Sequence, residues 1–187
     1  MANDLFNRQL ASYASVHRDP RNKATHFIGI PVIVFSLLLI LSLWRLEIGG
    51  REWTMSLIVA ILAALGWMAL DFGVGVVMAI ILVPTWYAAE AFCGALGGPS
   101  ATWVAFGALF VGGWVLQFIG HWYEGRKPAF VDDLVGLVIG PLFVVAEAGF
   151  LMGLRPEVQA AVEAIAGPVG ELSASQRSPL AAGHPGR

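Results

Sequence analysis

Charge is missing from this chain over long stretches. No Asp, Glu, Lys or Arg occurs in residues 24–44, 53–70 or 72–89, and residues 91–123 form a further 33-residue uncharged run. A membrane-crossing helix needs about 20 predominantly apolar residues. The runs therefore predict helices near 27–45, 53–71, 73–96 and 102–123. A fifth apolar segment, 130–153, opens with Asp132 and Asp133 and contains Pro141 and Glu147; it can span or fold back as a re-entrant element. Backbone groups cannot be left unpaired in hydrocarbon, and these runs lack the period-two alternation of barrel strands, so helix is the expected structure throughout. Ahead of the first run, Phe6, Leu10, Tyr13 and His17 recur at helical spacing within residues 3–18 and share one face. Asn3 or Asp4 can cap that helix, and Pro20 ends it by biasing Asp19 away from helical geometry. The expected fold class is all-α: a polytopic membrane helical bundle with four spans, the fifth apolar segment and an N-terminal amphipathic helix. Residues 154–187 turn small and polar, rich in Pro, Gly and Ser. A short helix over Glu157–Ala166 and a disordered tail after it are expected there. The chain thus divides into a membrane-embedded domain, 1–153, and a polar tail, 154–187.

Composition agrees. Of the 187 residues, 57% are hydrophobic and 13% charged, and the mean hydropathy is +0.72, which leaves little charge for a water-facing surface. Eleven scattered cations and a net charge of −2 argue against a nucleic-acid-binding face. The single cysteine, Cys93, excludes an internal disulfide and a cysteine-based zinc site; it reads as a buried thiol. The polar start does not have the form of a signal peptide, so the first apolar run is expected to stay as an anchor. Arg8, Arg18, Arg21 and Lys23 precede the first helix, and Arg126 and Lys127 follow the fourth. The positive-inside rule then places the N-terminus in the cytoplasm. An arginine-, alanine- and glycine-rich composition hints at a bacterial source, hence a bacterial inner membrane. Arg45 and Arg51, in the first loop, run against the rule. With four spans, the end of helix four returns to the face where helix one began, and His121 joins His17 and His26 there.

Three groups of residues could carry chemistry. His17 ends the amphipathic helix on its apolar face and His26 begins the first apolar run, so the turn between them lets both point at one spot. Each taken alone reads more readily as an interfacial or helix-end histidine. Gln117, His121 and Glu124 share one face of the fourth helix, with Trp114 one turn earlier. A His and a Glu three residues apart can both reach one metal, or the carboxylate can orient the imidazole from outside. The competing reading is an interfacial cluster, with Trp122 and Tyr123 as an aromatic belt. Glu90 and Glu147 lie inside apolar runs, where an ionisable group is costly and faces a partner, a metal or a cavity. Asp71 reads as a turn and His184 as an inert tail residue. Histidines with carboxylates and no cysteine suit iron or zinc. A di-iron hydroxylase or desaturase would need many more histidines in close boxes than the four present. A non-enzymatic membrane metal or solute carrier, using Glu90 and Glu147 as a polar path, is the other alternative.

Two blocks, "YASVHRDPRNKATHFIGIP" and "QFIGHWYEGRKPAFVDDLVGLVIGPLFVVAE", resemble the Mpo1-like family of multi-spanning membrane proteins. The likeness covers about residues 10–150. It rests on Tyr13, His17, Asn22-Lys23, His26 and Pro31 in the first block. In the second it rests on Gln117, Gly120, His121, Glu124, Pro128-Ala129, Pro141, Phe143 and Glu147. The resemblance implies an Fe(II)-dependent dioxygenase of fatty-acid α-oxidation. Its substrates would be a long-chain 2-hydroxy fatty acid and O2, and its product the acid one carbon shorter. It implies His17, His26 and His121 as iron ligands and catalytic residues. A fourth histidine expected of the family is absent from the matching blocks, so Glu124 would complete or orient the set. Lys23, Arg126 or Lys127, with Tyr13, would hold the substrate; Asn22, Gln117 and Glu147 are further candidates. The acyl tail would lie between apolar helices of the lipid bilayer. No oligomeric state is implied.

Overall fold

The computed structural model describes residues 4–125 and 135–166. Its elements are α1 (Asp4–Ser15), α2 (Pro20–Leu41), β1 (Arg45–Ile48), β2 (Arg51–Thr54), α3 (Met55–Leu70), α4 (Phe72–Ala95), α5 (Pro99–Glu124), α6 (Val135–Leu151) and α7 (Pro156–Ala166). Polar residues at the edges of the apolar runs set the boundaries. Asp19 caps α2, its side chain accepting from the Arg21 N–H at 2.8 Å, with Pro20 at the first helical position. This cap starts α2 well before the uncharged run does, so His26 lies inside the helix. Asp71 divides α3 from α4 and caps the latter through the Val74 N–H at 2.9 Å. Gly125, at φ 69°, closes α5 in the left-handed conformation.

The fold is helical as expected, with one addition. Residues 45–54 form a short antiparallel hairpin that pairs Ile48 with Arg51 across Gly49-Gly50. Both glycines have positive φ, 62° and 74°, which matches the twist of a two-residue hairpin turn. Among the described residues, α2, α4 and α5 are long and apolar enough to cross a membrane. The 16 residues of α3 extend only about 24 Å at 1.5 Å per residue. The expected fifth segment appears as α6, which bends by 116° into α7; the pair counts as a fourth span only if it is one broken helix.

Helix α2 is the hub, packing most extensively on α5 and also on α3, α4 and α6. Small residues permit the α2–α5 approach. A methyl group on Gly113 would stand 2.6 Å from Ile33 Cγ1, and one on Gly120 would collide with Asn22 and Thr25. The stripe Phe6, Leu10, Tyr13, His17 is buried as its spacing predicts. Helix α7 forms where a short helix was expected and packs on α1, with Val158 and Val162 buried. Elsewhere the outer surface is apolar, with Leu62, Phe72, Ile80 and Val104 exposed. A lipid environment solvates such side chains without cost.

Candidate metal centre

The centre is assembled from three separate stretches of chain. His17 follows the last turn of α1, His26 lies in the second turn of α2, and His121 lies one turn before the end of α5. They are 0%, 1% and 5% exposed. His17 Nδ1 lies 2.6 Å from the Tyr13 carbonyl oxygen and His26 Nδ1 lies 2.9 Å from that of Asn22. A carbonyl only accepts, so both Nδ1 atoms carry the hydrogen and donate it. Both Nε2 atoms are then left as lone pairs, and they face each other at 3.0 Å. Two lone pairs at that distance repel unless a cation lies beside both. His121 Nδ1 is buried with no partner. One nitrogen from each ring can be chosen so that all three lie within 4.8 Å of one another.

These features fit a metal ion. Imidazoles whose far nitrogen donates to a backbone carbonyl are the usual oriented form of metal-ligating histidine. Two ligand nitrogens about 2.1 Å from one ion, at a right angle, stand about 3.0 Å apart, which is the spacing of His17 and His26. Burial holds the His17 imidazole well below its ordinary pKa, and the neighbouring His26 lowers it further, against the Tyr13 hydrogen bond. The ring is therefore neutral near pH 7 and able to ligate.

The surroundings fix the rings. The Tyr13 ring stacks on His17, with centroids 4.1 Å apart and planes 5° from parallel. Phe143 of α6 packs against both, at 4.9 and 5.3 Å. Glu124 is not among the grouped ligand atoms. Its carboxylate accepts from the backbone N–H groups of Arg18 and Asp19, each at 2.8 Å, and from Asn22 Nδ2 at 3.0 Å. It thus clamps the end of α5 to the turn carrying His17.

An apolar cavity of about 300 Å³ reaches the centre. Tyr13, His26, Gln117 and His121 stand at its polar end, and Ile30, Ile33, Val34, Leu37, Phe110, Trp114 and Leu137 line the rest. A larger cavity, about 450 Å³, lies beside Arg18, Lys23 and Glu147 but touches none of the histidines. The smaller one is the functional candidate because two of the three histidines, His26 and His121, line it.

The remaining sequence candidates lie elsewhere. Lys23 Nζ donates to Glu147 at 2.7 Å, so each neutralises the other and neither lines the histidine cavity. Glu90 accepts from Ser56 Oγ, between α3 and α4. Arg126 and Lys127 lie outside the described residues, as does His184. Arg18 escaped the sequence reading: it is 3% exposed, and its Nε and Nη2 have no partner. In the sequence it looks like one more interfacial cation. The cavity-lining aliphatic residues were equally invisible, since one apolar residue in an apolar run resembles the next.

A family model of 2-hydroxy-palmitic acid dioxygenase Mpo1-like proteins matches residues 4–152. The chain belongs to the Mpo1-like family. The match takes in every residue of the centre, from Tyr13 to Phe143. The chain is also 30% identical over 157 residues to the 2-hydroxy-palmitic acid dioxygenase MPO1 of Saccharomyces cerevisiae, covering 83% of this chain and 86% of that protein. No solved structure matches it. This Mpo1-like chain is thus related to a dioxygenase, and its three convergent histidines are positioned to hold a metal.

Proposed function

We propose that this protein is an Fe(II)-dependent dioxygenase of fatty-acid α-oxidation, converting a long-chain 2-hydroxy fatty acid and O2 into the acid one carbon shorter. The observation that carries this reading is one buried cluster of His17, His26 and His121 at the end of an apolar cavity. The three imidazoles would hold the ion. Bound there, iron(II) would supply redox chemistry and open positions for O2 and for the chelating hydroxyl and carboxylate of the substrate. The overall conversion balances as R–CH(OH)–CO2H plus O2 to R–CO2H, CO2 and H2O. The C1–C2 bond breaks, carbon 2 is oxidised to a carboxyl and O2 is the oxidant, so no further reductant is needed.

The protein's part is positional. The Tyr13 and Asn22 carbonyls set the tautomers of His17 and His26. Glu124 holds the α1–α2 turn against α5. Tyr13 and Phe143 cover the His17 ring and keep water from it. The apolar cavity would take the acyl chain, removing it from the bilayer without exposing it to water. We place the protein in a membrane as a multi-pass protein with a cytoplasmic N-terminus, which suits a substrate that partitions into lipid.

The test is direct. Protein purified without oxygen is analysed for metal, then given Fe(II), O2 and 2-hydroxyhexadecanoic acid. Pentadecanoic acid and CO2 in equal amounts are expected. Absence of bound iron together with absence of the shortened acid overturns the proposal.

A further inference from the structure

We propose that Gln117 adds to chelation at the metal in selecting a 2-hydroxy acid over an unsubstituted fatty acid; this rests on the dioxygenase reading above. Gln117 sits one helical turn before His121 on α5, so its side chain shares the face of that imidazole. The residue is 4% exposed, and its Nε2 is buried with no hydrogen-bond partner. A buried amide without a partner is unfavourable and uncommon in a folded chain. The side chains of its sequence neighbours, Val115, Leu116, Phe118 and Ile119, offer it no acceptor. The amide stands at the polar end of the histidine cavity.

The opposite helix leaves room for this group. Gly29 of α2 faces Gln117, and a methyl group there would collide with Nε2. The bare backbone at Gly29 therefore forms a notch in which the amide rests beside the metal centre.

The chemistry of the amide matches one ligand class. A primary amide presents a donor and an acceptor side by side. A 2-hydroxy acid presents a carboxylate acceptor and a hydroxyl donor on adjacent carbons. The N–H of Gln117 would donate to the carboxylate and its C=O would accept from the hydroxyl. An unsubstituted acid meets only the first need and leaves the carbonyl unpaired. Sites built to hydrogen-bond a substrate hydroxyl discriminate strongly against analogues lacking it.

The experiment compares wild type, Gln117→Leu and the near-isosteric Gln117→Met as full-length, iron-loaded protein without oxygen. Iron content is measured, then the binding of 2-hydroxyhexadecanoic and hexadecanoic acids. Wild type is expected to prefer the 2-hydroxy acid. At least one folded variant should retain wild-type iron content and lose affinity for both acids, which share the carboxylate contact, but lose more for the 2-hydroxy acid, so that the preference falls by about tenfold or more. Retention of the full preference in either folded variant overturns the proposal, as does loss of iron in both, which would make Gln117 part of the metal centre. If wild type neither prefers the 2-hydroxy acid nor shortens it, the dioxygenase reading itself fails. If wild type does both and the variants keep the preference, only the role of Gln117 fails.

Discussion

His17 and His26 each tie Nδ1 to the carbonyl four residues earlier, and that local choice decides what the other nitrogen can do. Helical i−4 spacing alone would make these bonds ordinary. Their consequence appears only when the two Nε2 atoms meet at 3.0 Å. Replacing His17, His26 or His121 singly with alanine is expected to bring bound iron to background, read by metal analysis of the purified variant. Glu124 has a different signature. Glu124→Ala leaves the Arg18 and Asp19 N–H groups unpartnered in a buried turn, at a cost of about 1–3 kcal/mol. Thermal unfolding in detergent should show that loss, while metal affinity falls about 10–100-fold, as for other residues that orient a ligand from outside. Complete loss of metal in a folded Glu124→Ala protein would instead assign the carboxylate to the ion.

Between elements, the centre depends on how closely α2 and α5 approach, because His26 rides on one and His121 on the other. Gly113 packs against Ile33. A Gly113→Val substitution overfills this seam and is expected to cost about 1–3 kcal/mol. It should also weaken iron binding although residue 113 lies about two turns of helix from His121. Far from the centre, Arg155 holds the α6–α7 bend to the start of α4 through two bonds to Asp71, 2.8 and 3.1 Å. Burial alone would raise the Asp71 carboxyl. The Arg155 guanidinium and the Val74 N–H more than offset this and hold it below its ordinary value. Because the folded-state value is depressed, this contribution to stability is present above the unfolded value of about 3.9. It is lost as pH falls through the lower folded value. An Arg155→Met variant should therefore melt below wild type at pH 7, with the gap closing towards pH 3. A gap that persists unchanged at acid pH would show that packing, not the ion pair, holds the bend.

For the molecule as a whole, α2 runs from the histidine centre to the hairpin, so a single crossing separates the two ends. In a Cys93→Ala background, Arg21→Cys and Gly50→Cys should react with a membrane-impermeant maleimide from opposite sides of intact vesicles. Reaction from the same side would remove α2 from the spans. Much of this organisation was legible along the chain. Uncharged runs long enough to cross a bilayer, the amphipathic stripe Phe6–Leu10–Tyr13–His17 and the stripe Gln117–His121–Glu124 are all local periodicities, and local periodicity is what a sequence displays. The hairpin at Gly49-Gly50 was not read from the sequence, where the segment was expected only as a loop, because a short strand pair is easily hidden between strong helical runs. The centre itself was only half visible. Sequence placed His17 and His26 either side of one turn; it brought His121 to their face only through a four-span count, whereas among the described residues three helices are long and apolar enough to cross. It could not say which nitrogens meet, that Glu124 bonds to the turn carrying His17, or that Lys23 is neutralised by a residue 124 positions away. Those are outcomes of contact between helices. An apolar run states that a helix will be buried or face lipid, but not which neighbour it meets or in what register. The spacing of α2 and α5, set by residues as small as Gly29 and Gly113, decided that a cavity would reach His26 and His121.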